Sequence, residues 1–156
     1  MTEKRKFYLS KKGLEKLQQE YEETKKLRAE KFKDGVPQVW ESQDLSPEYV
    51  SFKEEVNLLE KKLVEVEQVL GNYILISPPE DKNVVDFGAI VILVEKGRKV
   101  KFEIVDPLEA NPALGKISAD SPIGKSLFKK KVGDICSTNP PLGNRYKILR
   151  IRYRNS

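Results

Sequence analysis

The side chains that most often carry out chemistry are scarce in this chain, and the scarcity narrows what it can do. There is no histidine and one cysteine, Cys136. Neither a disulfide framework, a zinc site nor a histidine-based triad can be assembled within one copy. Cys136 reads as a small residue buried in a strand rather than as a reactive thiol. The sharpest local pattern runs from Ile117 to Asp134. Ser121 suits a helix cap and Pro122 the first helical position, where a missing N–H has no partner to lose. Ile123, Leu127 and Phe128 then share one helical face. Lys125 and Lys129 to Lys131 lie towards the end, where cations suit the dipole, and Gly133-Asp134 turns the chain into a new strand. A second helix start is written at Ser46-Pro47-Glu48, with Ser46 as cap and Glu48 as an acid in the first turn.

What remains for recognition is charge, and its distribution says more than its total. The formal charge is +5 over 156 residues, with 38% hydrophobic and 34% charged side chains. Residues 1 to 77 carry a net −1 and residues 78 to 156 a net +6. A basic second half attracts nucleic acid or an acidic protein surface, and charge alone does not choose between them. No apolar run approaches the roughly 20 residues of a membrane span, and the basic Met1 to Lys6 segment is not followed by a signal-peptide core. The expected location is the cytoplasm, with no membrane partner.

Periodicity supplies the elements that must position these groups. Val56, Leu59, Leu63, Val66 and Leu70 repeat at spacings of three and four, the seam of a coiled coil. Leu14, Leu17, Tyr21 and Thr24 show the same spacing, with Leu27 close by. Two such helices joined by a loop bury their seams as an antiparallel hairpin; a dimerisation coiled coil or part of a bundle is the alternative. A helix from Ser10 to about Lys33 would run roughly 36 Å. Asp34-Gly35-Val36-Pro37 should end it, leaving Gly35 to Gln43 as a loop in which Trp40 packs against the hairpin end or faces a partner. After Leu70 the pattern turns to strands: Ile74 to Ile76, Gly88 to Glu95, Arg98 to Val105 and Tyr146 to Arg154, with Lys96-Gly97 as a tight turn. In the last strand Leu149, Ile151 and Tyr153 are expected on one face and Arg150, Arg152 and Arg154 on the other. Ser77 to Asn83 is polar and Pro-rich, suited to a hinge. The expected domains are residues 1–76 and 77–156.

As a string, Ile117 to Asp134 closely resembles the C-terminal signature of the Gre family of bacterial transcript cleavage factors. The resemblance extends over nearly the whole chain. Tyr8 to Leu17 looks like the family's opening, Asp44-Leu45 like the start of the tip between two long helices, Phe87-Gly88-Ala89 like the entry to the C-terminal domain, and Tyr146 to Tyr153 like its closing strand. It implies an α+β protein: an N-terminal antiparallel coiled-coil hairpin followed by a C-terminal FKBP-like domain. It further implies a monomer that grips the rim of the RNA polymerase secondary channel through Asp120, Ser121 and Pro122. The hairpin tip would then reach the active centre, where a carboxylate helps hold Mg²⁺ and the polymerase hydrolyses the 3′ end of its own backtracked RNA. The factor would have no enzyme site and no cofactor of its own. Mg²⁺ takes hard oxygen ligands from different partners, so a lent carboxylate is chemically reasonable.

The tip departs from the family pattern Gly-Asp-Leu-x-Glu-Asn-x-Glu-Tyr. Here Gln43 to Tyr49 reads Gln-Asp-Leu-Ser-Pro-Glu-Tyr, two residues short and lacking the Glu-Asn. By resemblance Asp44 carries over as the metal-assisting carboxylate; Glu48 either substitutes or serves only the helix start. Lys53 falls where the family often has a basic residue near the transcript, whereas Lys25, Arg28 and Lys31 read as a solvated face. Three functions follow: a cleavage-stimulating elongation factor, a Gre-like channel regulator without cleavage, or an FKBP-like prolyl isomerase or chaperone with a helical arm, whose aromatic pocket Phe87, Phe102 and Tyr146 do not convincingly form.

Overall fold

The computed structural model describes residues 5–37, 46–138 and 143–154 of an α+β protein. Leu14–Asn72 form one compact unit, and Arg5–Gly13 together with Tyr73–Ser156 form the other. The division expected at 76/77 falls after Asn72, and the first strand groups with the C-terminal part. Hydrogen bonding explains the difference: β1 (Phe7–Leu9) pairs in parallel with β2 (Tyr73–Leu75), Leu9 opposite Leu75.

The first unit is built on two antiparallel helices, α1 (Lys11–Lys33) and α2 (Pro47–Leu70). Helix α1 ends where foreseen, with Gly35 at φ 93° in the left-handed region and its N–H on the carbonyl of Phe32. Val56, Val66 and Val69 are buried, Leu59 and Leu63 partly so, and Thr24 is the buried residue of α1. Leu27 points out instead, 52% exposed. Because so narrow a seam holds little apolar area, polar ties matter between the helices. Lys62 pairs with Glu20 at 2.8 Å, the Tyr21 hydroxyl donates to Glu67 at 2.8 Å, Arg28 pairs with Glu60 at 2.9 Å, and Lys31 pairs with Glu55. Arg28 and Lys31 are therefore not simply solvated, as their sequence context suggests. Each exposed pair contributes at most about 1 kcal/mol. Beyond them Phe32 meets Phe52 edge to face, ring centres 5.6 Å apart.

The second unit holds β3 (Ala89–Glu95), β4 (Arg98–Val105), β5 (Lys116–Ser118), a short helix α3 (Pro122–Leu127), β6 (Ile135–Ser137) and β7 (Arg145–Tyr153). The five strands lie in the order β5-β4-β3-β7-β6, with only β4 and β5 parallel. Lys96 and Gly97 both have positive φ, the geometry that joins two twisted antiparallel strands tightly. Ala89, Val91 and Leu93 face the core with Ile104, Leu127, Cys136, Tyr146 and Ile148. The alternation foreseen in β7 breaks at one place. Ile92 pairs with Arg150 but Leu93 with Ile148, so Leu149 is an extra residue and is 38% exposed. Tyr146 and Ile148 take the buried positions that simple alternation assigns through Leu149, because a bulge shifts the side-chain period by one. Cys136 is buried in β6, and burial pushes its thiol up from the usual range.

Tyr153 fastens the end of β7 to the segment before β3. Its hydroxyl donates to the Val84 carbonyl and accepts the Asp86 N–H at 2.9 Å. Burial raises its pKa to about 12 from 10. The neutral phenol is thus favoured by folding, and its contribution is complete below about pH 10 and lost as pH rises through about 12. Tyr153→Phe should cost about 1–2 kcal/mol by urea denaturation at pH 8. The variant should also lack the part of the stability loss that the parent shows between those two pH values.

The connection after β4 secures the N-terminal segment. Asp106, 2% exposed, accepts from the Arg5 guanidinium at 3.0 Å, the Tyr8 N–H at 3.1 Å and the Leu108 N–H at 3.1 Å. Glu109 accepts the Ser10 N–H at 3.1 Å and the Ser10 hydroxyl at 2.7 Å, while Ser10 Oγ caps α1 by accepting the Gly13 N–H at 3.0 Å. A reciprocal helix cap normally draws its acid from the third helical position. Here that position is Gly13, and a side chain on it would meet Glu109 Oε1 at 2.1 Å. The missing side chain makes room for an acid from elsewhere in the chain. Tyr8 completes the seat by stacking on Phe87, ring centres 4.2 Å apart.

Candidate functional site

The corner at α3 forms as its sequence requires. Ser121 has extended backbone and accepts the Gly124 N–H at 3.0 Å, while its hydroxyl donates to the Ser118 carbonyl at 2.6 Å. Asp120 is held through its N–H on Ser118 Oγ at 3.0 Å. Gly124 lets the helix sit directly on the chain leaving β5, since a Cβ there would lie 2.0 Å from the Ser118 carbonyl oxygen. Leu127 is fully buried beneath, with Ile123 and Phe128 packed on the core. The outcome is a fixed corner on which Asp120 and Pro122 are exposed and Ser121 is half-buried. No described residue hydrogen-bonds or pairs with the Asp120 carboxylate.

At the other candidate region α2 begins as read. Ser46 accepts the Tyr49 N–H at 3.2 Å and Pro47 occupies the first turn. Glu48 is exposed beside an open hollow of about 420 Å³ lined also by Lys31, Ser51, Phe52 and Glu55. Since Ser46 does the capping, the Glu48 carboxylate is left facing solvent. Lys53 is exposed as well, but five residues along a helix it points about 140° away from Glu48, so the two do not share a face. Asp44, with Trp40 and Gln43, lies outside the described residues. Among the described residues no group of three or more acids, cysteines or histidines is placed to hold a metal, and no helix is long and apolar enough to cross a membrane.

Residues 80–153 match the family model for transcription elongation factor GreA/GreB, C-terminal part. Over 155 residues the chain is 37% identical to transcription elongation factor GreA of Thermotoga neapolitana, covering 96% of this chain and 99% of that protein. The chain belongs to the GreA/GreB family. Transcription elongation factor GreA of Clostridium acetobutylicum is 34% identical over 158 residues, covering 97% and 100%. Among solved structures, GreA factor homolog 1 of Thermus thermophilus is 28% identical, with 95% and 99% covered and a TM-score of 0.41. In this family member, sequence reading misses the clamp made by Asp106 and Glu109. Its signal is indirect: Asp-Pro-Leu-Glu following a strand, and a Ser-Lys-Lys-Gly helix start with no acid to complete its cap.

Proposed function

We propose that this chain is a transcription elongation factor that binds RNA polymerase in its secondary channel and rescues backtracked complexes by stimulating the polymerase's own transcript cleavage. The observation that carries the reading is near-complete alignment with GreA proteins at more than a third identity. In this reading α1 and α2 are the arms of a coiled-coil hairpin and the sheet with α3 is an FKBP-like domain that docks on the channel rim through Asp120, Ser121 and Pro122. The hairpin carries Asp44 to the active centre and the nascent RNA 3′ end, with Lys53 towards the transcript. Mg²⁺ bound in the polymerase polarises the phosphate and activates water. This chain contributes position and a carboxylate; Glu48, exposed at the start of α2 and with no ion-pair partner among the described residues, is a candidate second carboxylate. The factor works as a monomer in the cytoplasm and is not itself an enzyme.

The direct test adds the protein to a backtracked elongation complex and follows transcript shortening. Shortening above the polymerase's intrinsic rate supports the reading. Tight binding with no shortening favours the second reading, a channel regulator without cleavage, for which the two-residue-short tip is the motivating observation. A prolyl isomerase gains nothing from the ring positions: Phe87 stacks on Tyr8 and meets Phe128 edge to face, Tyr146 is buried and Phe102 packs on the core.

The docking assignment has its own test. Asp120→Arg reverses the exposed acid at the α3 corner, while Ser118 still holds its backbone N–H. Affinity for polymerase in a competition assay should fall by about tenfold or more, with the thermal transition unchanged. Parent-like affinity would remove Asp120 from the interface.

A further inference from the structure

The sheet has two faces, and α3 covers only one. On the other face the outward residues of β3 are Ile90, Ile92 and Val94, all half-buried. Pairing register places Lys101 opposite Ile92 and Lys99 opposite Val94 on β4. On β7 it places Arg152 opposite Ile90, Arg150 opposite Ile92 and Lys147 opposite Val94. The result is an apolar row between two basic rows. The single acid in this register, Glu103, is already paired with Arg154 at 3.5 Å. The bulge at Leu149 leaves another apolar side chain exposed beside the β7 row. A hollow of about 480 Å³ lies here, lined by Ile90, Ile92, Lys101, Arg152, Tyr153 and Arg154.

We propose that this outer sheet face docks an acidic amphipathic helix of a partner protein. Two strand spacings put the basic rows about 10 Å apart, close to the width of an α-helix with its side chains. The apolar row from Ile90 to Val94 runs about 14 Å, some two and a half helical turns. A helix with a leucine stripe and glutamates on both flanks therefore satisfies all three rows together. Nucleic acid fits less well. Phosphates would dry the isoleucine row without covering it by apolar atoms, and the face offers bases no free ring to stack on. Tyr153, at the rim, has its hydroxyl committed to Val84 and Asp86. The face lies opposite α3, so its occupant leaves the Asp120 to Pro122 corner clear, and the proposal stands or falls separately from polymerase docking.

The test uses the full-length chain and a fluorescent synthetic helix of about 18 residues, long enough for the row, with a leucine stripe flanked by glutamates. Controls are the same peptide with lysines for glutamates, a single-stranded RNA and a DNA duplex. The glutamate peptide should bind by anisotropy, weaken with added salt, and shift the methyl NMR signals of Ile90 and Ile92 while leaving Leu127 in place. Lys101→Glu with Arg152→Glu should weaken it by about tenfold or more, and Lys101→Gln with Arg152→Gln should weaken it less, without the reversed charge. The neutral pair keeps the test valid if the reversed pair fails to fold. Absence of peptide binding, equal binding by parent and both variants, or tighter binding of RNA or duplex at the same methyls would overturn the proposal.

Discussion

Asp44→Asn is expected to reduce transcript-cleavage stimulation by about 10- to 100-fold at low Mg²⁺, the range typical for loss of a metal-supporting group. Binding to polymerase should stay within about twofold, since the corner at α3 is untouched. Asparagine preserves size and hydrogen bonding but removes the charge that offsets stripping water from Mg²⁺. Raising Mg²⁺ should therefore restore part of the activity. The short tip makes the effect larger: the family's Glu-Asn is missing, and Glu48, the acid that follows Asp44, sits at the start of α2 beside the Ser46 cap. Quantitative cleavage assays across a Mg²⁺ titration read the effect. Unchanged stimulation at low Mg²⁺ would defeat the assignment of Asp44.

Asp106→Ala is expected to be the most damaging substitution outside the central core, at about 2–4 kcal/mol. It removes the acceptor for two backbone N–H groups, those of Tyr8 and Leu108, and for the Arg5 guanidinium. With the side chain almost fully buried, water does not readily replace it. Amide hydrogen exchange should quicken first at Tyr8 and Leu9, before the Val91 and Leu93 amides of the central strand respond. Stability within about 0.5 kcal/mol of the parent, by denaturant titration, would show that the clamp carries little.

Local signals were legible in the sequence, and contacts across long separations were not. Ser46 and Ser121 announce their helices because a cap is decided within four residues, and Lys96-Gly97 announces its turn for the same reason. In β4 Phe102 and Ile104 pack on the core while Lys99 and Lys101 are exposed, as simple alternation requires. In β7 that rule failed at Leu149, since a bulge is imposed by the partner strand and leaves no mark on its own strand. Arg28 and Lys31 looked solvated because their partners, Glu60 and Glu55, belong to another helix. The first strand was invisible as part of the C-terminal unit, because Phe7 to Leu9 is short and its partner begins at Tyr73. Of the candidate functional residues, Asp120, Ser121 and Pro122 are neighbours in the chain and form one corner, while Glu48 and Lys53 share a helix but not a face.

The helix cap closed by Glu109 opens at Ser10, 99 positions earlier. A ribosome adding about 5 to 20 residues per second needs about 5 to 20 s to cross that interval. Throughout it, the first turn of α1 has its own serine but not the distant acid; Tyr8 lacks Phe87 until position 87 is made and Asp106 until almost the end of the interval. The segment made earlier is consequently the later to settle. A nascent chain stalled before the codon for Asp106 should carry an N-terminus open to proteases, and release of the stall should close it.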